Sequence, residues 1–533
     1  MAAVGWVSGC SSGAVIGRAS TDAGADASST DAGVPPIAGR RLLAGSVALA
    51  GSGGDSCTHQ QPAMGDRWCG YIATATDDPE RFALWVINIS RAIAGVPITC
   101  DGTDGNCLRL TNNVSLYSPN YPAFTGDTLI FSSDSITPGE DFTGPVFAWR
   151  PGWTAGRRLT ANTGVLCFAH ATAPVAYCFQ NISRTTEQVS YDLVAGELPA
   201  AGGGTLPKIE TMLVRASADP SDVRKFAVRL SPNGEDIAWS ARPTATGAET
   251  LKTQKLNDDA SRKTVAVDVS RWAISADSTK YYWLRGFNHD TAGAASGTLQ
   301  MASFPDGAAQ TTLITDVGEF GEVGSKGIVF RAGLRAGAGA LNVMADRDNP
   351  ATIKTFDTGV LAVWAIMPDG SGAIYSKTHD EPTELYDLHL TTVTAPSPCA
   401  LVPEALSPGL ASFSGGSIVS FGRYAAGTNR FDAFYAPVDT CRPQLLASDI
   451  SRWESIGQEG YIWQDNTAAE NLGVIRYSLF RDGSLLPGIP VALASPYYSV
   501  LLPSLPVIVY TIETNTERDG LYISDGLPFS TTD

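Results

Sequence analysis

Leu230-Ser231-Pro232-Asn233-Gly234-Glu235-Asp236-Ile237-Ala238-Trp239 is the stretch whose recurrence decides the fold. A short apolar segment runs into a Pro/Asn/Gly turn, and a β-branched and aromatic segment leaves it, as in a tight β-hairpin. The same plan returns at Met367-Pro368-Asp369-Gly370-Ser371-Gly372-Ala373-Ile374-Tyr375. Aligned on the ring that ends each hairpin, the copies fall at Trp239, Trp283, Phe330, Tyr375, Phe421, Trp463 and Tyr510, in steps of 42 to 47 residues. Weaker copies end at Phe131, Tyr177 and Tyr71, separated by longer insertions. Two further β-like segments follow each hairpin, as in 384–391 and 399–403.

Four strands in about 45 residues is the size of a β-propeller blade. The pair Asp268-Val269-Ser270-Arg271-Trp272 and Asp449-Ile450-Ser451-Arg452-Trp453 lies 181 residues apart, close to four repeats, so the two segments occupy equivalent places between units. The expected fold is all-β, a single closed β-propeller of four-stranded antiparallel blades. Ten units can be counted, and the usual range of four to eight blades makes eight the expected number with ten as the upper one. The last unit has strands at 507–511 and 520–524 but lacks an outer strand, which residues 38–47 can supply, closing the ring and covering its edges. The organisation expected is a leader remnant over 1–10, a solvated linker over 11–37 and the propeller over 38–533.

The hairpin texts 230–239 and 367–375 resemble the WD40-like repeats of the TolB propeller family. The resemblance covers about residues 226–525 and extends more weakly to residue 65. It implies a propeller fold and a binding or translocation platform, since the motif specifies architecture and not chemistry. Val7-Ser8-Gly9-Cys10 resembles the lipobox of bacterial lipoproteins, which implies acylation of Cys10, with Ser11 matching outer-membrane sorting. No Lys or Arg precedes the short apolar run.

The chain has 533 residues, 44% hydrophobic and 17% charged, with 54 Gly and 32 Pro, a profile that favours many turns around a large core. A net charge of −17 argues against a nucleic-acid binder, which needs a dense basic face. No apolar run reaches the length of a membrane-spanning helix, so the expected membrane contact is only through a lipid anchor. Eight of the nine cysteines fall as neighbours, and the proposed pairs are Cys57 with Cys69, Cys100 with Cys107, Cys167 with Cys178, and Cys399 with Cys441. Such usage fits an oxidising compartment.

In a propeller the loops between second and third strands, and those between blades, gather on one face. There the sequence places Arg242, Arg285, Arg331, Lys377 and Arg423 just past the ring residue of five consecutive units, with Arg271 and Arg452 in the inter-unit segments. A partial ring of cations suits an anionic ligand, although snorkelling strand-end residues would read the same way. Asn288-His289-Asp290 and Thr378-His379-Asp380 offer imidazole and carboxylate in equivalent loops, making His289, Asp290, His379 and Asp380 the weak catalytic candidates. Asp101, Asp104 and Asn106 inside the Cys100 to Cys107 loop are weak metal candidates, short of a full calcium-loop ligand series. No nucleophile elbow, HExxH or phosphate loop occurs, and no cofactor is expected.

The leading expectation is an exported, lipid-anchored propeller at the outer membrane or cell surface, or in the periplasm, binding an envelope protein, peptide or glycan without chemistry. The alternatives are a propeller lyase or hydrolase acting on acidic polysaccharide, and a structural surface protein.

Overall fold

Residues 128–132, 236–241, 372–376 and 507–512 are buried at every position. A strand packed on both faces needs continuous apolar text rather than alternation, and Val507-Ile508-Val509-Tyr510-Thr511-Ile512 is written that way. Alternation then sorts the two sides. Val507 and Val509 join one apolar cluster, while Ile508, Tyr510 and Ile512 join another. The same division repeats along the chain.

The computed structural model describes residues 40–44, 47–49, 57 and, within 66–524, all but 76–77, 101–103, 115–121, 134–143, 162–163, 185–187, 216–227, 242–247, 276, 290–293, 381–384, 396–397, 407–411, 415–417, 425–430, 457–459, 466–472, 482–483, 495–498, 503–506 and 513–518. Cys10, the 11–37 segment, Arg242, Asp290 and Asp101 lie outside the described residues, as do the side chains of His289, Asp380 and Arg452.

The described strands form eight antiparallel sheets that carry ten four-stranded units in chain order, a propeller-type β architecture. The upper of the two unit counts is therefore the one present, and eight reflected only the usual range. Numbered along the chain, the units are marked by Tyr71, Phe131, Tyr177, Trp239, Trp283, Phe330, Tyr375, Phe421, Trp463 and Tyr510, every one on its unit's second strand. None of the ten rings is more than 8% exposed, which is why the aromatic recurs.

Sheets outnumber neither units nor turns because two long strands serve twice. Thr311–Val323 pairs with Ala295–Ser303 through its first half and with Ile328–Arg335 through its second, and Gln444–Ile456 does the same between units 8 and 9. Arg40–Ala44 pairs antiparallel with Gly520–Ile523, completing the last unit, and the chain then enters the first unit at Val47–Leu49.

Ten apolar clusters lie between units, and each joins two consecutive ones. The cluster of Tyr71, Ile87, Val507, Val509 and Leu521 joins unit 10 to unit 1. The hairpin turns pack across the same boundaries. Gly370 has φ +75°, and a Cβ there would stand 2.1 Å from the carbonyl oxygen of Gly327, so only glycine fits the close approach. The Lys326 and Gly327 N–H groups both donate to the Asp369 carbonyl, at 3.1 and 3.0 Å, tying the turn of unit 6 to that of unit 7.

Four disulfides are present: Cys57–Cys69 and Cys100–Cys107 in unit 1, Cys167–Cys178 between paired strands of unit 3, and Cys399–Cys441 linking units 7 and 8. No described helix is long and apolar enough to cross a membrane.

Candidate binding site on the loop face

Four of the corners between units share one backbone device. Asp268, Asp316, Gly359 and Asp449 all take left-handed φ, at 61°, 60°, 69° and 56°. Asp tolerates that region better than other side chains because its short polar group bonds locally, and the Asp268 carboxylate accepts the Gly286 N–H at 3.0 Å. The next residue, Val269, Val317, Val360 or Ile450, is buried and anchors the incoming strand. The bond from corner to Gly286 places the corners beside the loops that follow the second strands, so both gather at one end of each unit.

A pocket with about 240 Å³ of free volume opens there between units 5 and 6, lined by Ser270, Arg271, Leu284, Phe287, Gly318 and Glu319. Two equivalent corner segments build it, Asp268-Val269-Ser270-Arg271-Trp272 and Asp316-Val317-Gly318-Glu319-Phe320. The second copy carries Glu319 where the first carries Arg271. Sequence reasoning missed Glu319, although the spacing from Asp316 to Phe320 matches that from Asp268 to Trp272 and was a usable signal.

Arg271 and Arg331 are brought together here. Arg331 is 5% exposed, forms an ion pair with Glu319, and donates to the carbonyls of Gly337 and Val360, both at 3.0 Å, and of Leu361. It stands one residue after the unit's ring, on the strand face opposite to that of a residue two positions on. Its guanidinium is thus structural. Arg271 lies over the Phe320 ring, 5.8 Å from its centroid. Burial pushes Arg271 below the usual guanidinium range, Glu319 opposes this, and Arg331 and Arg229 add to it.

The other cations stay in their own neighbourhoods. Lys377 pairs with Asp357 at 2.9 Å and Arg423 with Asp432 at 3.0 Å. Asp432 stands directly across the strand pair from Arg423, an acid that cross-strand register could have revealed. Arg285, opposite Val269, is exposed and makes no ion pair among the described residues. Arg452 lies opposite Gln464, the equivalent of Arg271 opposite Leu284.

His379 stacks on Tyr386 with ring centroids 4.2 Å apart, and His289 lies opposite Ala295. A denser network, unforeseen in the sequence, sits beside His379. His389 Nε2 meets Asp387 at 2.7 Å, and the other Asp387 oxygen accepts the N–H groups of Lys377 and Thr378 at 2.7 and 2.8 Å. The Tyr375 hydroxyl donates to Asp357 at 2.8 Å. These contacts fix the loop base after Tyr375, and each carboxylate is spent on it.

In the Cys100–Cys107 loop, Asp104 accepts N–H bonds from Thr99 at 2.9 Å and from Asn106 at 2.8 Å, and the Asn106 amide also donates to it at 3.1 Å. Asp104 and Asn106 therefore cap a turn together. Among the described residues no group of three or more His, Cys, Asp or Glu is placed to hold a metal ion.

These pairs set the acid side of the stability profile. The Arg347 guanidinium holds Asp277 well below the usual carboxylate range, with burial opposing and Ser275 and Thr279 adding to it. At Asp357 and Asp387 burial pushes upward but is outweighed, by Lys377 and Tyr375 at the first and by backbone N–H groups and His389 at the second. Folded values below the unfolded value of about 3.9 stabilise in full above that pH, and the gain is lost as pH falls through the depressed values. The melting temperature should hold level from about pH 7 to about pH 5 and drop below about pH 4. Calorimetry on Asp277→Asn should show a shallower acid-side drop; an unchanged slope would deny the pair that role.

No family model matches the chain, and no curated protein sequence matches it. Among solved structures it is similar to a eukaryotic initiation factor, with 10% identity, a TM-score of 0.42, and coverage of 80% of this chain and 95% of that one. It is similar to TolB from Acinetobacter baumannii at 14% identity and a TM-score of 0.25, over 60% of this chain and 80% of that one. It is also similar to an oligogalacturonate lyase in complex with manganese, at 12% identity and a TM-score of 0.32, over 69% of this chain and 96% of that one.

Proposed function

We propose that the chain is an exported, closed ten-unit β-propeller that binds an envelope protein, peptide or glycan on its loop face, without chemistry, and that lipid on Cys10 holds it at the membrane. The observation that carries the binding role is the pocket of Arg271, Leu284, Phe287 and Glu319 opening where inter-unit corners and second-strand loops meet. Closure of the ring is supported by the apolar cluster between units 10 and 1 and by the pairing of the chain ends. Four disulfides support an oxidising compartment. Lys377 and Arg423 each spend their charge on a carboxylate nearby, which favours a binding platform over a uronate clamp.

Capture from envelope material tests the role. The wild-type protein should retain a partner, Arg285→Glu on the loop face should lose most of it, and Glu235→Lys in the opposite turn should keep it. Capture that ignores Arg285 and responds to Glu235 would move the site to the other face; no capture at all would remove the binding role.

A further inference from the structure

We infer that the turn face of units 8, 9, 10 and 1 rests on a lipid bilayer, leaving the loop face directed away from it. The inference extends the reading of a lipid-held chain proposed above, and names the side of the fold that meets the membrane.

Strand direction defines that side. In each unit the hairpin between first and second strands and the connection from third to fourth strand lie at one end, opposite the corners and second-strand loops. Five large apolar side chains are exposed among the described residues: Ile93, Val267, Leu445, Leu486 and Ile489. All but Val267 stand at a third-to-fourth connection. Ile93 ends the short helix Ile89–Ile93 of unit 1, Leu445 is the second residue of the outer strand of unit 8, and Leu486 and Ile489 close the connection in unit 9. Apolar clusters join unit 8 to 9, 9 to 10 and 10 to 1, so these side chains flank unit 10 along one arc. Exposed apolar side chains scattered singly are ordinary, whereas this gathering on one arc of one face marks a surface that is covered.

The path of the chain says by what. Arg40–Ala44 runs antiparallel to Gly520–Ile523 with Arg40 opposite Ile523, at the turn-face end of that third strand. Residues 1–39, and Cys10 with them, therefore join the fold on this face and in the flanked unit. Arg40 donates to the Ala92 carbonyl, beside Ile93, so the point of entry adjoins the apolar side chains. A lipid on Cys10 draws this side to a bilayer.

Charge agrees. Arg40, Arg91 and Arg442 are exposed along this arc, with Asp439 the exposed acid among the described residues of its third-to-fourth connections. The ion pair of Arg91 with Asp66 leaves the two side chains 56% and 40% exposed. The same face of units 4 to 6 instead exposes Glu235, Asp258, Asp306, Asp346 and Asp348, against Lys255 and Lys326. Arginines around apolar side chains suit anionic headgroups over an acyl boundary. A second copy meeting this surface through a two-fold axis would set arginines against arginines.

Co-sedimentation of the full chain carrying Cys10→Ser with vesicles tests the surface without an acyl chain. The protein should bind vesicles of phosphatidylethanolamine and phosphatidylglycerol, and bind phosphatidylcholine vesicles more weakly. Leu445→Glu together with Ile489→Glu should weaken binding about tenfold or more, and Arg442→Gln about fivefold. Val267→Glu, at the corner end of the outer strand of unit 4, should leave it unchanged. A photoprobe carried in the bilayer should mark 442–445 and 486–489 in the chain that keeps all these side chains, so a poorly folded variant does not remove the test. Absence of vesicle binding overturns the inference, as does an equal loss from Val267→Glu or labelling on the loop face. Self-association that Leu445→Glu abolishes, without vesicle binding, overturns it in favour of a second copy. If Cys10 carries no lipid while the Cys10→Ser chain still binds through Leu445 and Ile489, the anchor is wrong and the surface stands.

Discussion

Removing residues 38–47 should destabilise the whole protein by about 4 kcal/mol or more, read as a marked fall in the calorimetric melting temperature. Arg40, Arg41, Leu43 and Ala44 are paired with Ile523, Tyr522, Leu521 and Gly520. At about 1 kcal/mol net for each hydrogen bond of the ladder, that pairing supplies most of the loss, and the packing of Leu42 against the unit 10 and unit 1 cluster supplies the rest. The arginines add two ties of their own, since Arg40 donates to the Ala92 carbonyl and Arg41 to that of Asp519. Loss of the strand also bares Gly520–Ile523 as an edge that invites pairing with a second chain. The truncated protein should therefore associate as well as melt early. A transition at the wild-type temperature, from a monomer, would show that the chain ends do not fasten the ring.

How much of this was legible beforehand follows from what each feature depends on. The ten second strands announced themselves because burial on both faces writes a local, repeated text: turn residues, then an apolar run closing on Tyr71, Trp239 or Tyr510. Three cysteine pairs were readable from proximity in sequence, and Cys399 with Cys441 from their places in neighbouring repeats. The fate of the cations was not, because it turns on strand parity and on distant partners. Arg331 is one residue out of phase with Arg285, Lys377 and Arg423, and that single step sends it inward to Glu319 instead of toward the loops. Asp357 reaches Lys377 from the outer strand of the preceding unit, a neighbour that only the assembled boundary defines.

Glu319→Leu should cost about 3–5 kcal/mol in urea unfolding, because it leaves a buried guanidinium without its counter-charge. The side chains of Arg331 and Glu319 are only 6% and 14% exposed. By contrast, Asp432→Leu removes the partner of Arg423 in a pair exposed by 27% and 49%, and solvent screening limits the cost to about 0–1 kcal/mol. The double variant Glu319→Leu with Arg331→Met should recover only part of the loss. Removing both charges relieves the uncompensated cation, but the carbonyls of Gly337, Val360 and Leu361 then lose the donor that reaches all three. The cycle separates two uses of arginine at adjoining positions. If Glu319→Leu is as mild as Asp432→Leu, Arg331 is not the structural cation described above. If the large loss and partial recovery are found, Arg331 belongs to the fold, and its guanidinium is spent on Glu319 and on the three carbonyls that it reaches.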